Sequence, residues 1–337
     1  MNMTLYILFI KVSIVLISSS LVSQEHINLY SARQEVLLKP LIEKFEKKTN
    51  IKVNIIAAKA NQLINRIIQE GEYTKADMLL TTDVGRLYIA KQKNIFQSVD
   101  TVKINKYIPK KFKDKDNYWF GLSIRSRFLV YNKINVGKNE LRGYINLADN
   151  KWNKRVLVRS SNNVYNQSLV SAMILNYGEE EVAKFLKKFK ENFSRTPSGG
   201  DRDQIRAILG GEGDIALVNS YYFLKMKKLD KDKKLVNIEA HFPEDDIMKT
   251  HINISGIGII KYSKNKDNAI KFLEYLIGDE AQKIYAEENF EYPIRKNIYL
   301  NDFMKKYSKF NEDSIEINKV GELNKKALLM MDIAGWK

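Results

Sequence analysis

Twice along this chain, short apolar strands alternate with amphipathic helices, and between the two series lies a strand-like stretch containing no helix. In the first series His26-Ile-Asn-Leu-Tyr30 alternates as a strand, and Ser31-Ala-Arg-Gln34 turns the chain into a helix. Leu37, Leu41 and Phe45, with Leu38 and Ile42 beside them, mark one face of that helix. Pro40 is tolerable only near its start, because an interior proline removes a backbone donor and clashes with the preceding turn. Ile51, Val53 and Ile55 alternate as a second strand. Leu63, Ile64, Ile67 and Ile68 form a second helical face closed by Gly71, and Ala76 to Leu80 is a third strand before a helix from about Val84. Such alternation predicts βαβ units around a largely parallel sheet.

Between Tyr118 and Tyr131 the pattern predicts two strand segments, Trp119 to Ser123 and Arg127 to Tyr131, able to carry the chain from one lobe to another. A second series follows: strand Val156 to Val158, then helices from about Tyr165 to Asn176, Glu179 to Phe193 and Asp203 to Leu209, then strand Asp214 to Val218. Val236 to Ala240 reads as a strand, Asn253 to Ile260 as a return crossing, and helices Asp267 to Ile277 and Asp279 to Glu288 as the close of the first lobe. The pattern leaves the last helical stretch, Leu323 to Met331, without a place in either lobe. The expectation is an α/β protein of two lobes joined by two hinge-crossing strands with a ligand cleft between them. That arrangement resembles the type II architecture of bacterial periplasmic binding proteins. The expected divisions are 1–23 (signal peptide), 24–124 (first lobe), 125–251 (second lobe), 252–300 (first lobe resumed) and 301–337 (a helical segment of unassigned lobe).

Residues 1–23 carry one cation, Lys11, then Val12 to Ile17 and the small residues Ser18 to Ser23, the pattern of a secretory signal cleaved near Ser23. Periplasmic location is the expectation. Cysteine is absent, which removes disulfides, thiolate metal sites and cysteine nucleophiles from consideration. The formal charge is +16, but the lysines are scattered among acids on solvated helix faces, so nucleic acid is not the expected partner.

The most informative local text is Asp214-Ile-Ala-Leu-Val-Asn-Ser-Tyr-Tyr-Phe-Leu-Lys225. A buried strand ends at Asn219-Ser220, and two tyrosines fall in the first turn of a helix, where both can face one object. The carboxyl ends of buried strands are where open α/β sheets bind ligands. The same two residues could instead be interfacial aromatics capping a core. His26, His241 and His251 are too dispersed for a zinc site. Asp77 and Asp83 could be ligands but more commonly would cap the following helix. No Gly-x-Ser-x-Gly elbow, P-loop or Rossmann fingerprint is present in a usable setting, which argues against an enzyme.

Seven segments, read in order, resemble the periplasmic ferric-iron-binding proteins of ABC transporters: Asn28-Leu-Tyr-Ser-Ala-Arg-Gln34, Ala76-Asp-Met-Leu-Leu-Thr-Thr-Asp83, Gly121-Leu-Ser-Ile-Arg-Ser-Arg127, Ser160-Ser-Asn-Asn-Val-Tyr-Asn-Gln-Ser168, Gly199-Gly-Asp-Arg-Asp-Gln204, Ser220-Tyr-Tyr222 and His251-Ile-Asn-Ile-Ser-Gly256. The resemblance implies iron(III) as transported ligand, held by Tyr165, Tyr221 and Tyr222 of the second lobe and Tyr30 of the first. Some members place a histidine before the first-lobe tyrosine, where this chain has Leu29, and others a glutamate where it has Thr82. Both departures point to the tyrosine-rich form of the site. Iron(III) is a hard cation that favours anionic oxygen, and coordination must deprotonate each phenol, whose usual pKa is about 10.

Arg125, Arg127 and Arg202, in that order, are candidates to offset phenolate charge or hold an anion, with carbonate, citrate or water completing the shell. The resemblance further implies a monomer, a permease partner in the inner membrane, and metal docking on the second lobe before Tyr30 closes over it. The rival reading is a receptor for a small organic anion or cation in which the tyrosines stack. An enzyme on the same bilobal fold is a more distant one.

Overall fold

The computed structural model describes residues 24–337, so the expected signal peptide lies outside the described residues. Nine strands among those residues make one hydrogen-bonded network: β1 (His26–Ser31), β2 (Lys52–Ala57), β3 (Met78–Thr81), β4 (Phe120–Asn132), β5 (Val156–Leu157), β6 (Ile215–Asn219), β7 (Ile238–His241), β8 (Ile252–Ile259) and β9 (Tyr292–Pro293). The order is β2-β1-β3-β8-β4-β6-β5, with β7 and β9 also on β4. The first βαβ series gives parallel pairs β1 with β2 and β1 with β3, and the return strand β8 runs antiparallel to β3. This is the two-lobed α/β fold.

The helices are α1 (Lys39–Thr49), α2 (Ala60–Glu70), α3 (Val84–Gln92), α4 (Val102–Tyr107), α5 (Val164–Tyr177), α6 (Glu179–Glu191), α7 (Asp201–Leu209), α8 (Ser220–Lys228), α9 (Lys266–Leu276), α10 (Asp279–Glu287), α11 (Asp302–Lys306), α12 (Ile317–Glu322) and α13 (Asn324–Ile333). Pro40 falls in the first turn of α1, where its missing N–H has no intrahelical acceptor to lose. Helix α7 begins at Asp201, two residues earlier than periodicity suggests, and β7 begins at Ile238 rather than Val236.

The largest departure from expectation is β4. Its two predicted segments are one continuous strand of 13 residues, buried almost throughout. From Phe120 to Ser126 it pairs with β8, and from Arg127 to Asn132 it pairs with β6 and β7. One strand thus belongs to both lobes, and the change of partner falls between Ser126 and Arg127. The register slips between Gly121 and Ser123. Gly121 is needed there because a Cβ would sit 2.8 Å from the Phe112 carbonyl oxygen. The polar text of Ser123, Arg125, Ser126 and Arg127 broke the apolar pattern, yet all four side chains are buried.

The C-terminal segment, unassigned from sequence, spans both lobes. Helix α12 packs on α3 and α5, and α13 on α5 and α6. The approach to α3 uses Gly321, where an added Cβ would lie 2.6 Å from Tyr88 Cβ. Trp336 then inserts between Phe189 and Phe193, each ring centre 5.5 Å away. Edge-on aromatic pairs of this kind add about 0.5–1.5 kcal/mol beyond area burial.

Candidate functional site

Two helices of the second lobe begin at the cleft. Asn163 caps α5, accepting a hydrogen bond from the Tyr165 amide at 3.2 Å, so Tyr165 lies in that helix's first turn. Helix α8 starts directly after β6, with Tyr221 and Tyr222 in its first turn. The first-turn amides of a helix lack intrahelical acceptors, and its dipole favours negative charge at that end. Three phenols are therefore delivered to two helix N-termini. Tyr165 and Tyr221 are buried and Tyr222 is half-buried. The Tyr221 and Tyr222 rings lie 4.0 Å apart, tilted by 32°.

Arg125 sits beneath them. Its guanidinium carbon is 5.4 Å from the Tyr165 ring centre and 6.0 Å from that of Tyr221. One terminal nitrogen lies 3.5 Å from Tyr165 Oη, and the other donates to the Thr82 carbonyl. Arg125 therefore joins the end of β3 in the first lobe to the tyrosines of the second. Arg202, in the first turn of α7, covers the Tyr222 ring at 5.1 Å.

Arg127 is not brought to the phenols. It shares a strand face with Arg125, but β4 has changed lobes by this point, and the guanidinium is taken by Asp201 at 2.7 Å, Asn219 at 3.3 Å and Asn166 at 2.5 Å. The candidate role of Arg127 is thereby reassigned to holding buried framework. Asp201 also accepts from Arg159 at 2.5 Å and from the Asn219 amide at 2.8 Å. One buried carboxylate thus faces two guanidiniums, leaving surplus positive charge at this wall.

Burial pushes the Tyr221 phenol well above its usual value, with Tyr165 and Tyr222 adding to the rise and Arg125 opposing it. Tyr222 is pushed up to about 12, by burial first and then by Tyr165 and Asp201, while Arg159 works in the other direction. Both phenols are protonated at neutral pH without a metal. A bound cation would have to expel those protons.

Tyr30, at the end of β1, meets different company. Its hydroxyl donates to the two Glu70 oxygens at 3.2 and 3.3 Å, and Arg66 lies over its ring at 5.1 Å. Glu70 also accepts from Arg66 Nε at 2.6 Å and Thr74 Oγ1 at 2.7 Å. Burial raises Tyr30, Glu70 raises it further, and Arg66 opposes. Burial alone would raise Glu70, but the hydrogen bonds from Arg66 and Thr74 hold it below the usual carboxylate range. Among the described residues no hydrogen bond or ring stack joins Tyr30 to the other three tyrosines. Leu29 is buried in the core.

Asp83 caps α3 through the Arg86 amide and accepts from Ser168 at 2.5 Å and Asn253 at 2.7 Å. Asp77 is consumed by the Asn28 amide, Ser263 and Asn265 rather than by a helix cap. His251 is buried and its pKa falls to about 3 through burial and the nearby Arg127. Among the described residues no group of three or more histidine, aspartate or glutamate side chains is placed to hold a metal ion.

Sequence reasoning overlooked Arg159, Asp201, Glu70 and Arg66. It also assigned no role to Arg33, which forms a two-pronged buried pair with Glu291, 2.9 and 3.1 Å, behind the cleft. Arg33 and Asp201 lay inside the quoted segments, and Arg159 immediately before one, so proximity to those segments was the available signal. Glu70 and Arg66 lie on a helix face with ordinary i, i+4 charge spacing, which carries no such mark.

Residues 40–312 match the family of bacterial extracellular solute-binding proteins. Iron uptake protein A1 of Synechocystis sp. is 39% identical over 317 residues, covering 93% of this chain and 88% of that protein. The solved Trichodesmium protein IdiA (FutA), in complex with iron and citrate ligands, is 41% identical with a TM-score of 0.86, covering 93% of this chain and all of that one. The ferric binding protein from Campylobacter jejuni is 37% identical with a TM-score of 0.87, covering 92% of this chain and all of that one.

Proposed function

The chain belongs to the bacterial extracellular solute-binding protein family, and from that premise we propose that it captures iron(III) in the periplasm and delivers it to an ABC permease. The observation that carries this reading is the gathering of Tyr165, Tyr221 and Tyr222 at two helix N-termini over the buried guanidinium of Arg125. The relatives' iron names agree with it. Three phenolates balance the charge of the trivalent ion, and the helix termini, Arg125, Arg202 and Arg159 lower the cost of forming them. The protein acts as a carrier, and no bond of its cargo is made or broken beyond coordination.

In this mechanism iron docks on the second lobe, where the three phenols are already adjacent. Tyr30 then exchanges its Glu70 hydrogen bond for the metal as the lobes close, so only the closed state satisfies the whole shell. Remaining positions take a small oxygen donor, carbonate, citrate or water, beside the surplus cations Arg159 and Arg202. The lobes divide where β4 changes partner, near residues 125 and 252, and the protein works as a monomer.

The adjacent, tilted Tyr221 and Tyr222 rings favour one rival, a flat organic solute held by stacking. A single comparison separates the two. Protein loaded with ferric citrate and freed of excess is expected to show a red-orange phenolate-to-iron band, bleached by reductant and weakened in Tyr222→Phe. A colourless protein that retains no iron overturns the proposal, and a solute that raises the melting temperature of wild type and Tyr222→Phe alike would establish the stacking role.

A further inference from the structure

On the first lobe, away from the tyrosines, Lys106, Lys110, Arg295 and Lys296 surround a hollow of about 480 Å³ whose lining includes no carboxylate. The larger hollow beside it shares Lys110 but mixes its lysines with Asp114, Asp116, Glu316 and Glu322. The nearby Lys103 and Lys111 are likewise neutralised, by Glu274 and Glu312. Lys106, Lys110 and Lys296 make no ion pair among the described residues. Arg295 alone has one, with the exposed Asp279, and it lies 4.0 Å from the Tyr107 ring centre, while Lys106 lies 5.4 Å from the same centre. Like charges are thus drawn around one concavity, an arrangement whose repulsion an anionic surface would relieve.

Close in sequence to the residues of the hollow are two exposed apolar or amphipathic side chains. Val102 is 84% exposed and lies one helical turn from Lys106 on α4, and Tyr299, 62% exposed, follows three residues after Lys296. Compact, flexible ammonium groups with protruding apolar neighbours suit the headgroup region of a bilayer. Six of the nine residues that line the hollow are cationic or asparagine, so it presents a polar, positively charged surface more than an apolar groove. We infer that this face docks the protein reversibly on an anionic phospholipid surface. Docking would confine the carrier near the membrane that houses its permease. The inference is independent of what the tyrosines bind.

The test is flotation of the purified protein with vesicles. Binding is expected to vesicles of phosphatidylcholine with 30% phosphatidylglycerol at low ionic strength, to vanish on pure phosphatidylcholine, and to fall as salt screens the charges. At about 1 kcal/mol per lysine near such a surface, the combined Lys106→Gln, Lys110→Gln and Lys296→Gln variant should bind roughly 100-fold more weakly. A control with the same charge loss on exposed second-lobe residues, Lys187→Gln, Lys188→Gln and Lys231→Gln, should change binding less than about 3-fold. Equal weakening by the two variants would mean diffuse charge and overturn the inference. So would the absence of binding to anionic vesicles, or retention of poly-glutamate in place of vesicles, which would indicate an acidic protein partner. Unchanged melting temperatures of the variants show that the fold is intact.

Discussion

Tyr30 and Tyr222 are the same side chain in different company. Tyr222 stands under Arg202 in the first turn of a helix, on a wall where two arginines share one buried aspartate. Tyr30 donates a hydrogen bond to Glu70, within a network that is itself partly exposed. Each phenol has a carboxylate that raises its pKa and an arginine that opposes it, Asp201 with Arg159 for Tyr222 and Glu70 with Arg66 for Tyr30, but only Tyr222 shares its place with a second phenol, Tyr221, in the first turn of a helix. The contrast gives the two lobes different work: one is ready to receive a trivalent ion, and the other is held until that ion is present.

The contrast breaks most visibly if its buried and exposed carboxylates turn out to be alike. Asp201→Ala leaves Arg127 unpaired in the interior, and breaking one partner of such a pair costs about 3–5 kcal/mol. Glu70→Ala removes a half-exposed i, i+4 pair, for which about 0.3–0.5 kcal/mol is the expected scale. Denaturant midpoints of the two variants measure this difference, and equal losses would refute it. Tyr221→Phe or Tyr222→Phe should next weaken iron retention against citrate by more than about 100-fold, the upper range for groups that merely orient ligands. Tyr30→Phe should cost less, because its gain on coordination is reduced by the lost Glu70 bond. A Tyr30→Phe loss as large as that of Tyr222→Phe would erase the distinction between a receiving and a closing lobe.

Acid sharpens the same comparison. Folded phenols with raised pKa keep their protons until a metal displaces them, so affinity falls as pH drops, by about tenfold per coordinated phenol per pH unit. An unbuffered titration should release about three protons per iron in Tyr30→Phe and about one more in wild type. For the metal-free fold the sign is the reverse. Stability contributed by the Tyr222 proton is fully present below the ordinary phenol value of about 10 and is lost as pH rises through about 12.

Much of this organisation was legible in the sequence. The alternation of strand and helix located most lobe elements from β1 to α10 within a few residues, because each is amphipathic or buried in the period its backbone demands, but it missed the short helix α4. The central strand was less legible, since Arg125 and Arg127 interrupt the apolar pattern that marks a buried strand. Their burial depends on Glu291, Tyr165 and Asp201, tens to more than a hundred residues away, and periodicity carries no such information. For the same reason the i, i+2 spacing put both arginines on one face but could not show that Asp201 captures the second. The three second-lobe tyrosines stood out through the segments around them. The surroundings of Tyr30 did not, because Glu70 reads as an ordinary solvent-facing helix residue.

Trp336, the penultimate residue, donates its indole N–H to the Arg159 carbonyl oxygen at 2.8 Å, and Asn166 holds the same carbonyl from α5. The wall that carries surplus positive charge is therefore completed by a residue 177 positions after Arg159. Strand β3 likewise waits for β8, more than 170 residues later, before its second edge is paired, and contacts so distant in sequence form slowly. A chain emerging from its N-terminus would display Tyr30 long before the opposite wall existed. The receiving wall and the tyrosine opposite it are thus built from distant parts of the chain, and the cleft between them exists only once both have folded.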